Sequence, residues 1–281
     1  MGSPPSALEL DWHGLCREVV SGVRGVLVDH PTTLERAVET GRGEGGDQAI
    51  VIDRAAEDVI FERLDDLYRR GYRFAAVSEE RGAVDFGDDA VQVVIDPLDG
   101  SMNAKRGLSH YAISIAVADG PTMGDVAFGY VYDFGPSEEW SARRGEGAVL
   151  NGQPITSPPG ERRDARGRLE LVGIESADPR WVAASAEALK VTAHRLRAIG
   201  SIALSLCQVA TTRLDGMVTL WKCRAVDAAA AQLVVRESGG YVAFTAFDDP
   251  LGAPLDLLPH SPVVAARTEQ ALAELAKVPT E

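Results

Sequence analysis

Val91–Ser101, VQVVIDPLDGS, is the stretch from which the rest of the chain can be read. Val91, Gln92, Val93, Val94 and Ile95 read as a strand that delivers two aspartates, a proline and a glycine to its end. Pro97 cannot continue a ladder and pushes Asp96 toward extended backbone. Asp96 and Asp99 then leave the strand on a short turn, with little room between their carboxylates. Two carboxylates that close repel unless a proton or a cation lies between them. Gly100 adds no side-chain bulk, so the backbone N–H groups of Gly100 and Ser101 stay open to an anion. Carboxylates for a hard cation beside bare amides for an oxyanion point to metal-assisted chemistry on a phosphate.

Upstream, apolar residues at helical spacing predict a helix over Leu8–Leu27 and a second over Asp53–Arg70, closed by Gly71. The stretch 41–47, GRGEGGD, reads as a glycine-rich loop; it fits neither a Walker loop nor a dinucleotide fingerprint. Phe74–Val77 is a short strand ending in Ser78-Glu79-Glu80. Downstream, Tyr111–Ala118, Val126–Tyr132, Glu139–Ala142 and Ala148–Leu150 read as strands joined by tight turns. That series predicts an antiparallel sheet.

The polar stretch 157–168, SPPGERRDARGR, is the expected seam between an N-terminal α+β domain, 1–156, and a C-terminal α/β domain, 157–281. Beyond it, strands and helices alternate. Strands are expected at Leu169–Ile174, His194–Ile199, Met217–Leu220, Tyr241–Phe244 and Val263–Ala266. Helices are expected at Trp181–Leu189, Ser201–Thr212, Asp227–Ser238 and Glu269–Lys277.

Composition narrows the function. The 281 residues are 45% hydrophobic, enough for a full core. The net charge of −14 disfavours nucleic acid as the main partner, which calls for a basic face. No run approaches the roughly 20 apolar residues of a membrane span. Cys16, Cys207 and Cys223 are odd in number and widely spaced, which fits a reducing cytoplasm better than a disulfide framework. Met1–Ser6 matches the loose myristoylation pattern, a signal short enough to arise by chance.

Four acidic residues share a setting at element ends: Glu79, Asp96, Asp99 and Asp227. Taken singly, Glu79 could be a solvated loop charge and Asp227 an ordinary helix cap. The pair flanking Pro97-Leu98 is harder to dismiss, because a turn does not require two acids.

These residues carry a resemblance. DPLDGSMNAKRG resembles the first signature of the inositol monophosphatase family, VSEE its Glu-Glu segment, and RAVDAAAAQLVVRESGG its second signature, in the family's order. Val226 replaces a tryptophan, Ala231 stands near an expected glycine, and Met102 replaces a second hydroxyl residue. Leu220 stands where many inositol-specific members carry an acid, and LRAIGSIALSLCQVATTRLDGMV is similar to the archaeal-type subgroup with dual fructose 1,6-bisphosphatase and inositol monophosphatase activity.

The resemblance implies a layered α-β-α-β-α sugar-phosphatase fold, a homodimer, and hydrolysis of a small sugar or polyol phosphate. Inositol 1-phosphate and fructose 1,6-bisphosphate are the leading substrates; adenosine 3′,5′-bisphosphate and histidinol phosphate are the alternatives. Outside enzymes, the rival is an inactive regulatory binding protein. Two or three Mg²⁺ ions, replaceable by Mn²⁺, are implied. Glu79, Asp96 and the Leu98 carbonyl would hold one, and Asp96, Asp99 and Asp227 a second. Ser101 would orient a water activated by the cation, with Asp53 bonded to its hydroxyl and Glu79 helping to accept the proton. Asp99, Gly100 and Ser101 would contact the substrate, with Arg197, Lys222 and Arg224 as selecting residues. Lys105 and Arg106 would shape the following loop.

Overall fold

A computed structural model describes residues 6–46, 48–156 and 160–280. Helix α1 (Trp12–Asp29) turns Trp12, Cys16, Val19, Val23 and Leu27 inward, the stripe its sequence spacing requires. Asp11 caps it by accepting a hydrogen bond from the Gly14 N–H at 2.9 Å. One capped turn, α2 (Thr33–Arg36), leads into a hairpin of β1 (Glu39–Arg42) and β2 (Gln48–Ile50). Residues 41–46 of the glycine-rich loop therefore supply the end of β1 and part of the hairpin turn. Helix α3 (Val51–Arg69) begins two residues before its expected start, so Asp53 lies inside its first turn.

The first large sheet contains β3 (Ala75–Ser78), β4 (Gly82–Asp85), β5 (Gln92–Asp99), β6 (Ala112–Ala118), β7 (Val126–Asp133), β8 (Glu138–Arg143), β9 (Gly147–Leu150) and β10 (Gln153–Pro154). Their spatial order is β10-β9-β8-β7-β6-β5-β3-β4. All neighbours are antiparallel except β3 and β5, which run parallel and correct the fully antiparallel expectation. Helix α4 (Ser101–Arg106) follows β5 directly.

The second sheet is mixed. β11 (Leu169–Glu175) pairs in parallel with β12 (Ala193–Arg197) and β13 (Gly216–Thr219). β15 (Val263–Ala266) runs antiparallel between β13 and β14 (Tyr241–Phe244). The helices are α5 (Pro179–Thr192), α6 (Ile202–Ala210), α7 (Ala225–Glu237) and α8 (Glu269–Leu275). The seam expected over 157–168 falls partly outside the described residues, as does most of the Met1–Ser6 pattern.

The layers follow from which faces are apolar. Helices α1 and α3 cover one face of the first sheet. Helices α6 and α7 fill the space between the sheets, in one core that joins Val131 and Trp140 to Met217 and Val263. Helices α5 and α8 close the outer face of the second sheet. This is the α-β-α-β-α order. Helix α7 can sit close to the first sheet because Ala228–Ala231 carry no long side chains. Opposite them, a Cβ on Gly129 would lie 2.5 Å from the Ala230 carbonyl oxygen. No helix among the described residues is long and apolar enough to cross a membrane.

Glu139 ties α1 to the first sheet. Its carboxylate accepts hydrogen bonds from Arg17 Nη2 at 2.8 Å, Arg17 Nε at 3.0 Å and the Tyr130 hydroxyl at 2.8 Å. Burial raises this carboxyl's pKa, but the Arg17 and Tyr130 hydrogen bonds outweigh it and hold it below the usual range. A pKa depressed on folding stabilises the native state above the unfolded value, about 4.3, and that contribution is lost as pH falls through the folded value. Glu139→Gln is therefore expected to cost about 1–3 kcal/mol near pH 7. Its gap from wild type should close in acid, as read from urea unfolding across a pH series.

Candidate active site

Two parallel strands end at the same edge, and that places the first acids. Ser78 is paired with Ile95, so Glu79, just past β3, emerges beside Asp96 on β5. Along β5 the register against β6 shifts between Asp96 and Asp99, where Pro97 has no N–H to give the ladder. Asp96 is 1% exposed, and its Oδ1 accepts a hydrogen bond from the Leu98 N–H at 3.0 Å. Asp99 Oδ2 accepts from the Ser201 hydroxyl and the Ala203 N–H, each at 2.7 Å, so this carboxylate sits on the N-terminus of α6.

Asp227 is the third residue of α7 rather than its cap. Its Oδ2 accepts from the Arg224 N–H at 2.8 Å. The guanidinium of Arg224 lies between acids from different parts of the chain. Nη2 stands 2.7 Å from Glu79 Oε1 and 3.1 Å from Asp227 Oδ1. Nη1 donates to the Gly45 carbonyl at 3.4 Å, and the Gly45 N–H donates to the Glu79 carbonyl at 2.8 Å. The hairpin turn between β1 and β2 thus rests on the same cluster.

Electrostatics match the crowding. Burial pushes the Asp96 carboxyl well up, with Glu79, Asp99 and Asp227 adding to it. Burial, then Asp227, pushes Asp99 up to about 8. Asp53 is raised to about 8, mainly by burial and further by Glu79 and Glu80. Burial acts to lower Arg224, but Asp227 and Glu79 outweigh it, so its pKa is raised.

Asp53 Oδ2 accepts from the Ile50 N–H at 3.2 Å, while its Oδ1 is buried with no hydrogen-bond partner among the described residues. Asp53 and Ser101 line the same cavity of about 390 Å³, together with Glu79, Asp96, Leu98 and Lys105. Gly100 has φ +89°, and a Cβ there would lie 2.9 Å from the His110 carbonyl oxygen and 3.0 Å from that of Gly200. Only glycine fits that approach, and it starts α4 at Ser101. A second cavity of about 600 Å³ adjoins the first, sharing Asp99, Gly200, Arg224 and Asp227; Lys222 and Trp221 line it.

Arg197 is not brought to either cavity. It lies on the edge strand β12, donates to the Leu196 carbonyl, and lines a separate cavity with His110 and Arg213. The chain turns toward the site only after Arg197, at Ala198–Ser201.

Sequence reasoning missed several contributors. The buried Glu175 carboxylate accepts from the Ser205 hydroxyl and from the N–H groups of Ile199 and Gly200, fixing the approach to α6. Ser201 caps α6 and holds Asp99. Trp221 stacks on Trp181 at 5.4 Å between ring centroids. A serine just before an apolar helical run was the available signal for Ser201; Glu175 and Trp221 gave none.

Among the described residues, no three Asp, Glu, His or Cys side chains close on one point as a ready-made ion cage. The lining is nevertheless rich in the oxygen donors a hard cation takes: several carboxylates in one cavity, with no thiol or imidazole among the residues that line it. The cation between Glu79 and Asp227 is Arg224.

The inositol monophosphatase family pattern matches residues 18–279. The chain belongs to that family. Within it, the chain is 36% identical over 210 residues to Nus factor SuhB of Haemophilus influenzae, covering 73% of this chain and 75% of that one. It is 32% identical over 242 residues to a fructose-1,6-bisphosphatase/inositol-1-monophosphatase of Thermococcus kodakarensis, covering 84% of each. The fold is shared with a solved inositol monophosphatase–fructose 1,6-bisphosphatase at TM-score 0.81 and 23% identity, covering 96% of this chain and 100% of that one. It is also shared with the inositol monophosphatase of Thermotoga maritima at TM-score 0.74 and 23% identity, covering 96% and 98%. This member of the inositol monophosphatase family is a phosphoric monoester hydrolase.

The tight turn at Gly100 makes a specific demand. Gly100→Ala is expected to lower stability by at least about 1 kcal/mol, because the residue must leave its left-handed conformation or clash with two carbonyls. Thermal unfolding of the purified variant checks this.

Proposed function

We propose that the protein is a Mg²⁺-dependent phosphomonoesterase acting on a small sugar or polyol phosphate, with inositol 1-phosphate and fructose 1,6-bisphosphate as leading substrates. The observation that supports this reading is the convergence of Glu79, Asp96, Asp99 and Asp227 on one cavity with the Ser101 hydroxyl. Glu79, Asp96 and the Leu98 carbonyl would hold one ion, and Asp96, Asp99 and Asp227 another. When bound, such ions neutralise phosphate charge and acidify water.

The remaining work falls to the chain's own groups. The N–H groups of Gly100 and Ser101 would seat phosphate oxygens, helped by their place at the start of α4. Ser101 would orient the attacking water through its hydroxyl. Asp53, with one oxygen unpartnered, is available to take that hydroxyl's proton in a hydrogen bond. Glu79 would accept the proton lost by the water. The alcohol part of the substrate would occupy the larger cavity, where Lys222 and Arg224 offer positive charge to a second phosphate or to hydroxyls. Leu220, fully buried in the outer core, offers nothing polar there, which favours a substrate range wider than inositol phosphate.

The Nus factor relatives favour a second reading, in which the chain serves as a Nus factor. The retained acids and the Ser101 hydroxyl support catalysis as the primary role.

Asp96→Asn is expected to lower magnesium-dependent phosphate release at least about 100-fold while circular dichroism stays native. Unchanged turnover would remove the mechanism. A panel of the two leading substrates with adenosine 3′,5′-bisphosphate and histidinol phosphate reads the preference. Cytoplasmic location and a homodimer belong to the same reading, the latter checked by light scattering.

A further inference from the structure

Among the described residues, Arg224 is the cationic side chain common to both cavities. It is also the group that now neutralises the acids. One nitrogen, Nη2, serves Glu79 Oε1 at 2.7 Å and Asp227 Oδ1 at 3.1 Å. A hard divalent ion binds carboxylate oxygens at about 2.0–2.1 Å, so it cannot share those oxygens with a guanidinium at hydrogen-bond distance without strong repulsion. A guanidinium also cannot lose its proton to make room.

We propose that Arg224 is the resident counter-ion of the acidic cavity and is displaced from Glu79 and Asp227 when a divalent cation enters. This rests on the metal-dependent reading above. The backbone is arranged for such an exchange. The Arg224 N–H stays bonded to Asp227 Oδ2 at 2.8 Å, so the residue's main chain is anchored while its side chain turns. On the hairpin side, Nη1 reaches the Gly45 carbonyl at 3.4 Å. The larger cavity, on whose wall the side chain already lies, gives it about 600 Å³ to move into. There the displaced charge faces the space assigned to the substrate's alcohol part. Cation entry and the arming of the anion-recognition side of the site become one event. The Gly45 turn is coupled to it, because a Cβ at Gly45 would lie only 2.7 Å from Arg224 Nη1.

The test is calorimetric titration of the metal-stripped full chain with Mn²⁺ at fixed ionic strength, for wild type and Arg224→Gln. Removing the competing charge is expected to tighten Mn²⁺ binding about tenfold or more. The metal-free variant should melt below wild type and gain more on Mn²⁺ addition. Equal or weaker Mn²⁺ affinity in a folded Arg224→Gln protein overturns the displacement while leaving the phosphatase reading intact. No Mn²⁺ binding by either protein removes the metal reading itself, and the displacement with it. If Arg224→Gln does not fold, Arg224→Lys takes its place. Lysine has a single nitrogen, which cannot bond the Gly45 carbonyl while it serves both acids, so tighter Mn²⁺ than wild type is expected and unchanged affinity overturns the proposal.

Discussion

Mutual repulsion among buried carboxylates is the constraint on which the structure turns. Glu79, Asp96, Asp99 and Asp227 line one cavity, and three of them are at least nine-tenths buried. Such a cluster is costly unless each charge meets donors or a cation. The fold meets the demand group by group. Asp96 takes the Leu98 N–H, Asp99 takes the N-terminus of α6, and Glu79 and Asp227 share Arg224. The acids that would bind a cation are thus the acids that need one.

That constraint explains the middle layer. Helices α6 and α7 both begin at the site, one presenting its N-terminus to Asp99 and the other carrying Asp227. Their bodies lie in the core between the two sheets, where packing against both leaves little freedom to move. Alanines on α7 and a glycine on β7 allow the close approach. Strand β5 and the starts of α6 and α7 therefore hold Asp96, Asp99 and Asp227, while the Arg224 side chain lies on the wall of the larger cavity. A site of this design keeps its acids in place whether or not a cation is present. It leaves adjustment to one long side chain.

The paired cavities give the chemistry a direction. The smaller holds the acids, Ser101 and the Gly100 turn; the larger is walled by Trp221, Lys222 and the loop leading into α6. On the proposed reading, the reacting phosphate and the departing alcohol would lie on either side of the shared residues Asp99, Arg224 and Asp227. On the same reading, substrate range would be governed by the larger cavity, walled in part by Trp221 and Lys222.

The sequence by itself determined the strand that ends in Asp96-Pro97-Leu98-Asp99-Gly100, because a proline and a left-handed glycine permit few other backbones. It also determined the helical stripes of α1 and α3 and the run of alternating elements after residue 168, since periodicity records which face is buried. From its signatures the family and the set of acids could be named. Only the tertiary structure decided that β3 and β5 run parallel, which brings Glu79 beside Asp96. Strand direction depends on pairing partners far apart in the chain, and no local pattern encodes it. Tertiary structure alone also set Arg197 on a separate cavity and brought Glu175, Ser201 and Trp221 to the larger one. It placed Arg224 between Glu79 and Asp227, because the first of these acids is far away in the chain and nothing local to Arg224 shows that the two meet.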